Sequence, residues 1–274
     1  MNFKELKEFK LSGNNISDIS VLEKVKFEKL EKLDISNNKI SNNIYILVNA
    51  NFKELKELYL YFNDISYISV LEKVKFEKLE KLDISYNEIS NNINILENVN
   101  FKELKEFNLS SNNISDISIL EKLKFEKLEK IDLGVNKISN INILQNVNYK
   151  ELKDLYLYEN TISDISVLEK VKFEKLEKLN LCENEISNIN ILENVNFKEL
   201  KELYLFHNNI SDISVLEKVK FEKLKKLDLM QNKISNINIL KNVNFKELKE
   251  FNLSYNNISD ISVLEKVKFE KLKI

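Results

Sequence analysis

The sequence predicts an α/β solenoid, one supersecondary unit stacked on copies of itself, and three observations carry that expectation. The pattern L-x-x-L-x-L-x-x-N-x-I, as in "LKELYLYFNDI" at 55–65, recurs from Leu6, Leu30, Leu55, Leu79, Leu104, Leu128, Leu152, Leu176, Leu200, Leu224 and Leu248. Its spacing is 24 residues, with two 25-residue steps where "SNNI" (41–44 and 90–93) carries an extra Asn. No single copy can bury its own apolar side chains, so neighbours have to stack.

Each part of the unit follows from its residues. The "L-x-L" alternation predicts a short half-buried strand, Leu inward and the intervening side chain outward. The recurring Asn (Asn14, Asn38, Asn63 and so on to Asn256) follows the strand, where its amide can satisfy backbone groups that a tight turn strands inside. "SVLEKV" (20–25) then reads as a Ser-x-x-Glu capping box opening one or two helical turns, and alternate units use Asn in "NILENV" (190–195). Phe27, Phe52, Phe76, Phe101 and their successors, with Tyr149 once in their place, predict an aromatic spine.

These in-register copies resemble the leucine-rich repeat family, whose motif L-x-x-L-x-L-x-x-N-x-L they match along the whole chain. The resemblance implies a right-handed solenoid, a horseshoe or arc, with a parallel β-sheet on the concave face and short helices or turns on the convex face. The nearest types are the internalin-like and the intracellular protein-binding repeats. Eleven full repeats and a partial twelfth from Leu272 then make 1–274 a single domain. The cysteine-rich caps of extracellular members are missing. The bare ends, such as "KFEKLKI" (268–274), predict a fragment of a longer protein or end-to-end self-association through uncapped termini.

Composition narrows the function. All 42 basic residues are lysine, set against 44 acidic ones for a net charge of −2, so no global field favours nucleic acid or an acidic membrane. One cysteine rules out an intramolecular disulfide framework. The N-terminus lacks the apolar run of a signal peptide and no stretch approaches a membrane span, so the chain reads as cytosolic. "FKELKE" and "FEKLEK" alternate, so the column from Glu8 and Lys32 to Lys226 and Glu250 alternates in sign, a self-complementary register device. The neighbouring column breaks the rule at Lys201, Lys225 and Lys249. Sequons at Asn15, Asn113, Asn209 and Asn257 fall at the tight turn, where glycans are expected to crowd the Asn ladder.

Function is expected where the repeats differ. Two positions between the last strand Leu/Ile and the ladder Asn vary freely. The first runs from Ser12 through Tyr61, Tyr158, Cys182, Phe206 and Met230 to Ser254. The second runs from Gly13 through Phe62, Tyr86, Glu159, Glu183, His207 and Gln231 to Tyr255. With the outward position between the strand leucines (Tyr59, Asp83, Asp132, Tyr156, Tyr204, Asp228 among others) they hold seven of the ten tyrosines. Three clusters result, Tyr59/Tyr61/Phe62, Tyr156/Tyr158 and Tyr204/Phe206/His207, with rows of Asp or Asn between them. Rigid amphipathic aromatics are what protein-binding surfaces use. The expectation is a non-enzymatic module binding a protein or peptide on the concave face through Tyr59, Tyr61, Phe62, Tyr86, Tyr156, Tyr158, Tyr204, Phe206, His207, Asp83, Asp132 and Asp228.

Catalysis is not expected. Two glycines leave no phosphate loop. His207 is the only histidine, with Glu183 and Gln231 as its expected cross-strand neighbours and no activated serine beside it. Cys182 and His207 lie one strand apart, on a face read as too open to exclude water. No cofactor or metal is implied, and His207 reads as one variable letter of a recognition surface.

Overall fold

The computed structural model describes residues 3–267, 269 and 271. Its contacts group the chain into two compact units, 1–137 and 138–274. The partial repeat from Leu272 lies outside the described residues.

The first unit holds β1 (Glu8–Lys10), β2 (Lys32–Asp34), β3 (Glu57–Tyr59), β4 (Lys81–Asp83), β5 (Glu106–Asn108) and β6 (Lys130–Asp132). Each pairs in parallel with the next. The second holds β7 (Asp154–Tyr156), β8 (Lys178–Asn180), β9 (Glu202–Tyr204), β10 (Lys226–Asp228) and β11 (Glu250–Asn252), paired the same way. Register is fixed repeat to repeat: Leu33 faces Leu58, and Leu58 faces Leu82. A slip of one residue would turn every strand leucine outward.

Each repeat fills the same interior. In the third, Leu55, Leu58, Leu60, Ile65, Ile68 and Leu71 are at most 1 % exposed. Burial of one such side chain is worth about 1.5–3 kcal/mol, and only the neighbouring repeats can supply the cover. The expected spine is buried from Phe27 to Phe245, with ring centroids 5.8 Å apart for Phe27 and Phe52 and 6.2 Å for Phe52 and Phe76, and Phe269 at its end is half-buried.

The return segments are 3₁₀ turns of four to eight residues, such as Ser20–Glu23 and Ser166–Glu169. Here the capping-box expectation is corrected. Ile19 occupies the cap position of the first turn, and no side-chain cap bond forms there. The donor is instead the Ser20 backbone N–H, held by Asp18 Oδ1 at 2.8 Å, two residues earlier. Asp164 holds Ser166, Asp212 holds Ser214 and Asn188 holds Asn190 in the same way, at 2.8–2.9 Å. A 3₁₀ turn is too tight for the Ser-to-N3 reach of an α-helical box, whereas an Asx side chain meets the N–H two residues on.

The alternating charges form the expected rungs. Lys32–Glu57 and Lys81–Glu106 stand at 2.7 Å in the first unit, Lys178–Glu202 at 2.9 Å and Lys226–Glu250 at 2.7 Å in the second. Glu31 lies between Lys7 and Lys56, at 3.0 and 2.6 Å. A further column, unremarked in the sequence, repeats the device with Lys78–Glu54 and Lys175–Glu151. These pairs face solvent, so each is worth about 0–1 kcal/mol, and they specify register more than they stabilise. The sequon asparagines Asn15, Asn113 and Asn257 are exposed and Asn209 half-buried, outside the ladder that glycans were expected to crowd.

Candidate partner-binding face

The site is the end of each strand, and its geometry begins with the ladder asparagine. Asn63 accepts the Ile40 N–H through Oδ1 at 3.0 Å and donates through Nδ2 to the carbonyls of Ile35 and Leu60 at 3.1 and 3.0 Å. Asn208 does the same to Ile186 N–H, Leu181 and Leu205. This satisfies a buried turn, but it diverts the carbonyl of the last inward strand residue. In the parallel register that carbonyl would otherwise face the N–H of the first variable position in the next repeat.

Most repeats meet this need with the outward strand residue. Asp34, Asp83, Asn108 and Asp132 accept the N–H of Ser36, Ser85, Ser110 and Gly134 through Oδ1 at 3.1, 3.0, 3.0 and 2.9 Å. Asn180, Asp228 and Asn252 serve Cys182, Met230 and Ser254 at 3.1, 3.0 and 3.1 Å. Asp83, Asp132 and Asp228, expected as partner contacts, thus hold their own strand ends. Burial raises the Asp132 carboxyl above the ordinary aspartate value. The sequence carries the signal for this role, an Asx two residues before a small or flexible side chain.

The first variable position is more covered than its outward alternation suggests. Ser36, Ser85, Ser110 and Cys182 are 0–3 % exposed. Cys182 therefore does not lie on an open face as expected. It sits in its column between Tyr158 and Phe206, and burial pushes its thiol up to about 12. A thiol so raised is no nucleophile at neutral pH.

The second variable position is left-handed in every described repeat. Asn37, Phe62, Tyr86, Ser111, Val135, Glu159, Glu183, His207, Gln231 and Tyr255 have φ between 49° and 55°, and Gly13 has φ 73°. Asn and Gly tolerate this region, whereas β-branched Val135 is strained in it. The ladder bonds on either side over-determine the turn, so side chains of any chemistry are held there.

Where the outward residue is Tyr, aromatic side chains gather. In the first unit Tyr59 meets Tyr61 edge-on at 6.4 Å and Tyr61 meets Phe62 at 6.0 Å. Phe62 stacks on Tyr86 at 3.9 Å and 16°, and both rings are nearly half exposed. Tyr86 thus joins the first cluster. In the second unit Tyr156, Tyr158, Tyr204 and Phe206 are half-buried and His207 is exposed. The Lys178 ammonium lies 5.7 Å from the Tyr156 ring centre and 5.1 Å from that of Tyr204. Phe206 and His207 are 6.5 Å apart, and His207 Nδ1 lies 4.0 Å from Glu183 Oε2, the expected neighbour. Tyr59 and Tyr204 donate their hydroxyls to Glu57 and Glu202 at 3.0 and 2.8 Å. Burial, then these carboxylates, raise both phenols, Tyr59 to about 12.

A hollow lined by Tyr59, Lys81, Asp83, Glu106, Phe107 and Asn108 holds about 70 Å³. That is room for about two waters, far below the roughly 300–1,000 Å³ of a small-molecule site. Among the described residues no group of three or more His, Cys, Asp or Glu side chains is placed to hold a metal, and no helix is long and apolar enough to cross a membrane.

Known proteins agree with this architecture. A model of two consecutive leucine-rich repeats matches residues 4–45, 102–146 and 198–242, and a single-repeat model matches 77–93 and 247–264. An internalin (InlF) from Listeria monocytogenes is similar over 98 % of this chain and 80 % of its own, with 29 % identity and a TM-score of 0.73. The functional domain of InlJ from the same species, which includes a cysteine ladder, is similar over 96 % of this chain and 52 % of its own (18 % identity, TM-score 0.66). A leucine-rich repeat protein from Leptospira interrogans is similar over 97 % of this chain and 84 % of its own (20 % identity, TM-score 0.58). The last two likenesses concern the fold. No curated protein matches the chain. With the repeat models together spanning more than half of the residues, the chain belongs to the leucine-rich repeat family.

Proposed function

We propose that this chain is a non-enzymatic recognition module that binds a protein or peptide partner across its sheet face, through Tyr59, Tyr61, Phe62 and Tyr86 in the first unit and Tyr156, Tyr158, Tyr204, Phe206 and His207 in the second. One observation carries the reading: Phe62 and Tyr86 are stacked, exposed and held in left-handed turns. Elsewhere on the same face the polar side chains serve ion pairs or strand ends. Large apolar rings left facing solvent on a rigid frame are the usual anchors of protein interfaces. Membership of a family whose repeats generally mediate protein–protein interaction supports it.

The test replaces Tyr59, Tyr61, Phe62, Tyr86, Tyr156, Tyr158, Tyr204 and Phe206 with Ser together. Proteins captured from the source cell by the variant are compared with those captured by the wild type. The variant is expected to fold, as read by circular dichroism, and to lose specific partners. An unchanged set of captured proteins defeats the proposal.

A further inference from the structure

The Asx bond at the strand end has a complement in the repeats that lack it. In β3 the outward residue is Tyr59, and the facing carbonyl of Ile35 is taken by the amides of Asn38 and Asn63 at 3.2 and 3.1 Å. In β9 the outward residue is Tyr204, and the facing carbonyl of Leu181 is taken by Asn184 and Asn208 at 3.2 and 2.9 Å. Among the described residues the Tyr61 N–H finds no acceptor, whereas the Phe206 N–H faces the buried Cys182 thiol of the preceding repeat. Ser12, after Lys10, shares the open N–H but not the rings.

The Tyr59 hydroxyl reaches back to Glu57, two residues towards the start of the strand, so its ring leans away from the Tyr61 donor two positions on. In the other repeats an Oδ1 placed on the sheet face sits 2.9–3.1 Å from the equivalent nitrogen. That site is therefore within reach of an oxygen arriving from the face. The acceptor it suits is neutral. Asp34 and Asp83 lie opposite Tyr59 on the two neighbouring strands, and Asp228 lies opposite Tyr204, so a carboxylate would meet like charge on entering.

Resting on the reading above that the aromatic face binds a partner, we propose that the backbone N–H of Tyr61 is a hydrogen-bond donor that anchors an extended peptide segment of that partner through a backbone carbonyl, with the segment's apolar side chains laid on the adjoining rings. The Tyr59/Tyr61 strand end is thus a composite site, rings for area and an amide donor for position. Asx at the outward position closes the donor internally and Tyr59 leaves it for the partner, while at the Tyr204/Phe206 end the Cys182 thiol faces the donor.

Paired substitutions separate the donor from the ring. Tyr59→Ala and Tyr59→Asn both delete the ring, but only Asn restores the internal bond to Tyr61 N–H; Tyr204→Ala and Tyr204→Asn are the control pair, because the Cys182 thiol already faces the Phe206 N–H. Peptides of twelve random residues displayed on phage are selected on the intact wild-type chain, and the selected peptides are titrated against the four variants. Tyr59→Asn is expected to bind about tenfold more weakly than Tyr59→Ala, the size of one forfeited hydrogen bond, with the Tyr204 pair alike. Amide hydrogen exchange of Tyr61 is expected to be fast in wild type and slowed in Tyr59→Asn alone. Equal weakening by Tyr59→Ala and Tyr59→Asn overturns the donor while leaving the aromatic face intact. Peptides indifferent to all four substitutions, or no selected peptide at all, overturn both readings. Slow exchange at Tyr61 in wild type overturns the donor directly.

Discussion

Strands β3 and β4 are neighbours with the same backbone, yet they end differently. In β4, Asp83 turns back to hold Ser85 through both its N–H, at 3.0 Å, and its hydroxyl, at 2.6 Å. In β3, Tyr59 leans the other way and leaves Tyr61 beside a run of three further rings. The second unit repeats the contrast between Asp228/Met230 and Tyr204/Phe206. One scaffold obligation, an N–H orphaned by the Asn ladder, is met by an Asx side chain in most repeats, by the Cys182 thiol at Phe206 and, among the described residues, by no acceptor at Tyr61. What varies between repeats is therefore not decoration on a finished frame, because the variable residue takes part in closing the frame.

The largest expected effect attacks the ladder that creates the obligation. Asn63→Ala orphans the Ile40 N–H and removes one donor from Ile35 and Leu60. It should cost about 3 kcal/mol, the scale of an unsatisfied buried group, as measured by urea denaturation. Asn14→Ala, where the amide is exposed, should cost well under 1 kcal/mol by the same reasoning. Equal losses at the two sites would show that the buried bond is not the source.

The Asx side of the comparison is smaller. Asp83→Ala should cost about 1 kcal/mol, the worth of a comparable side-chain cap, and Asp83→Asn should retain most of it because Oδ1 is kept. A matched loss for both would make the effect one of charge. Val135→Asn should gain somewhat less, roughly 0.5–1 kcal/mol, by easing a β-branched residue out of a left-handed strain; an unchanged denaturation midpoint would remove strain from the account of this column.

The solvated charge columns should matter least to stability and most to titration. Lys56, then Lys7, hold the Glu31 carboxyl at about 2, below its ordinary 4.5. A carboxyl depressed on folding contributes stability that is present above the unfolded value and is lost as pH falls from there through about 2. A carbon-13 titration should find Glu31 near that value, and Lys56→Met should move it back towards 4.5. A Glu31 that titrates at 4.5 in the wild type would mean that the rung is not formed in solution.

The scaffold and its variable columns are unequally legible in the sequence. The repeat period, the parallel stacking, the buried Leu and Ile positions and the sign-alternating columns can all be read from residues such as Leu58, Asn63 and Lys32, because periodicity and charge act locally and identically in every copy. The caps could not be placed that way. "SVLE" matches an α-helical box by spacing, and only the tighter 3₁₀ geometry moves the bond to Asp18. Nor could alternation alone show that Cys182 is covered, since Ser36, Ser85 and Ser110 of the same column are buried just as deeply whatever the size of their neighbours.

By itself, then, the sequence determined the repeating unit, its strand register and which columns are free to vary. The tertiary structure decided what those columns do. Stacking brings an asparagine of one repeat onto a carbonyl of the previous one, and that displaced bond turns the choice between Asp83 and Tyr59 into a choice between a closed strand end and an open one. A hydrogen bond diverted between residues 28 positions apart leaves no mark on local pattern and exists only once the repeats are stacked.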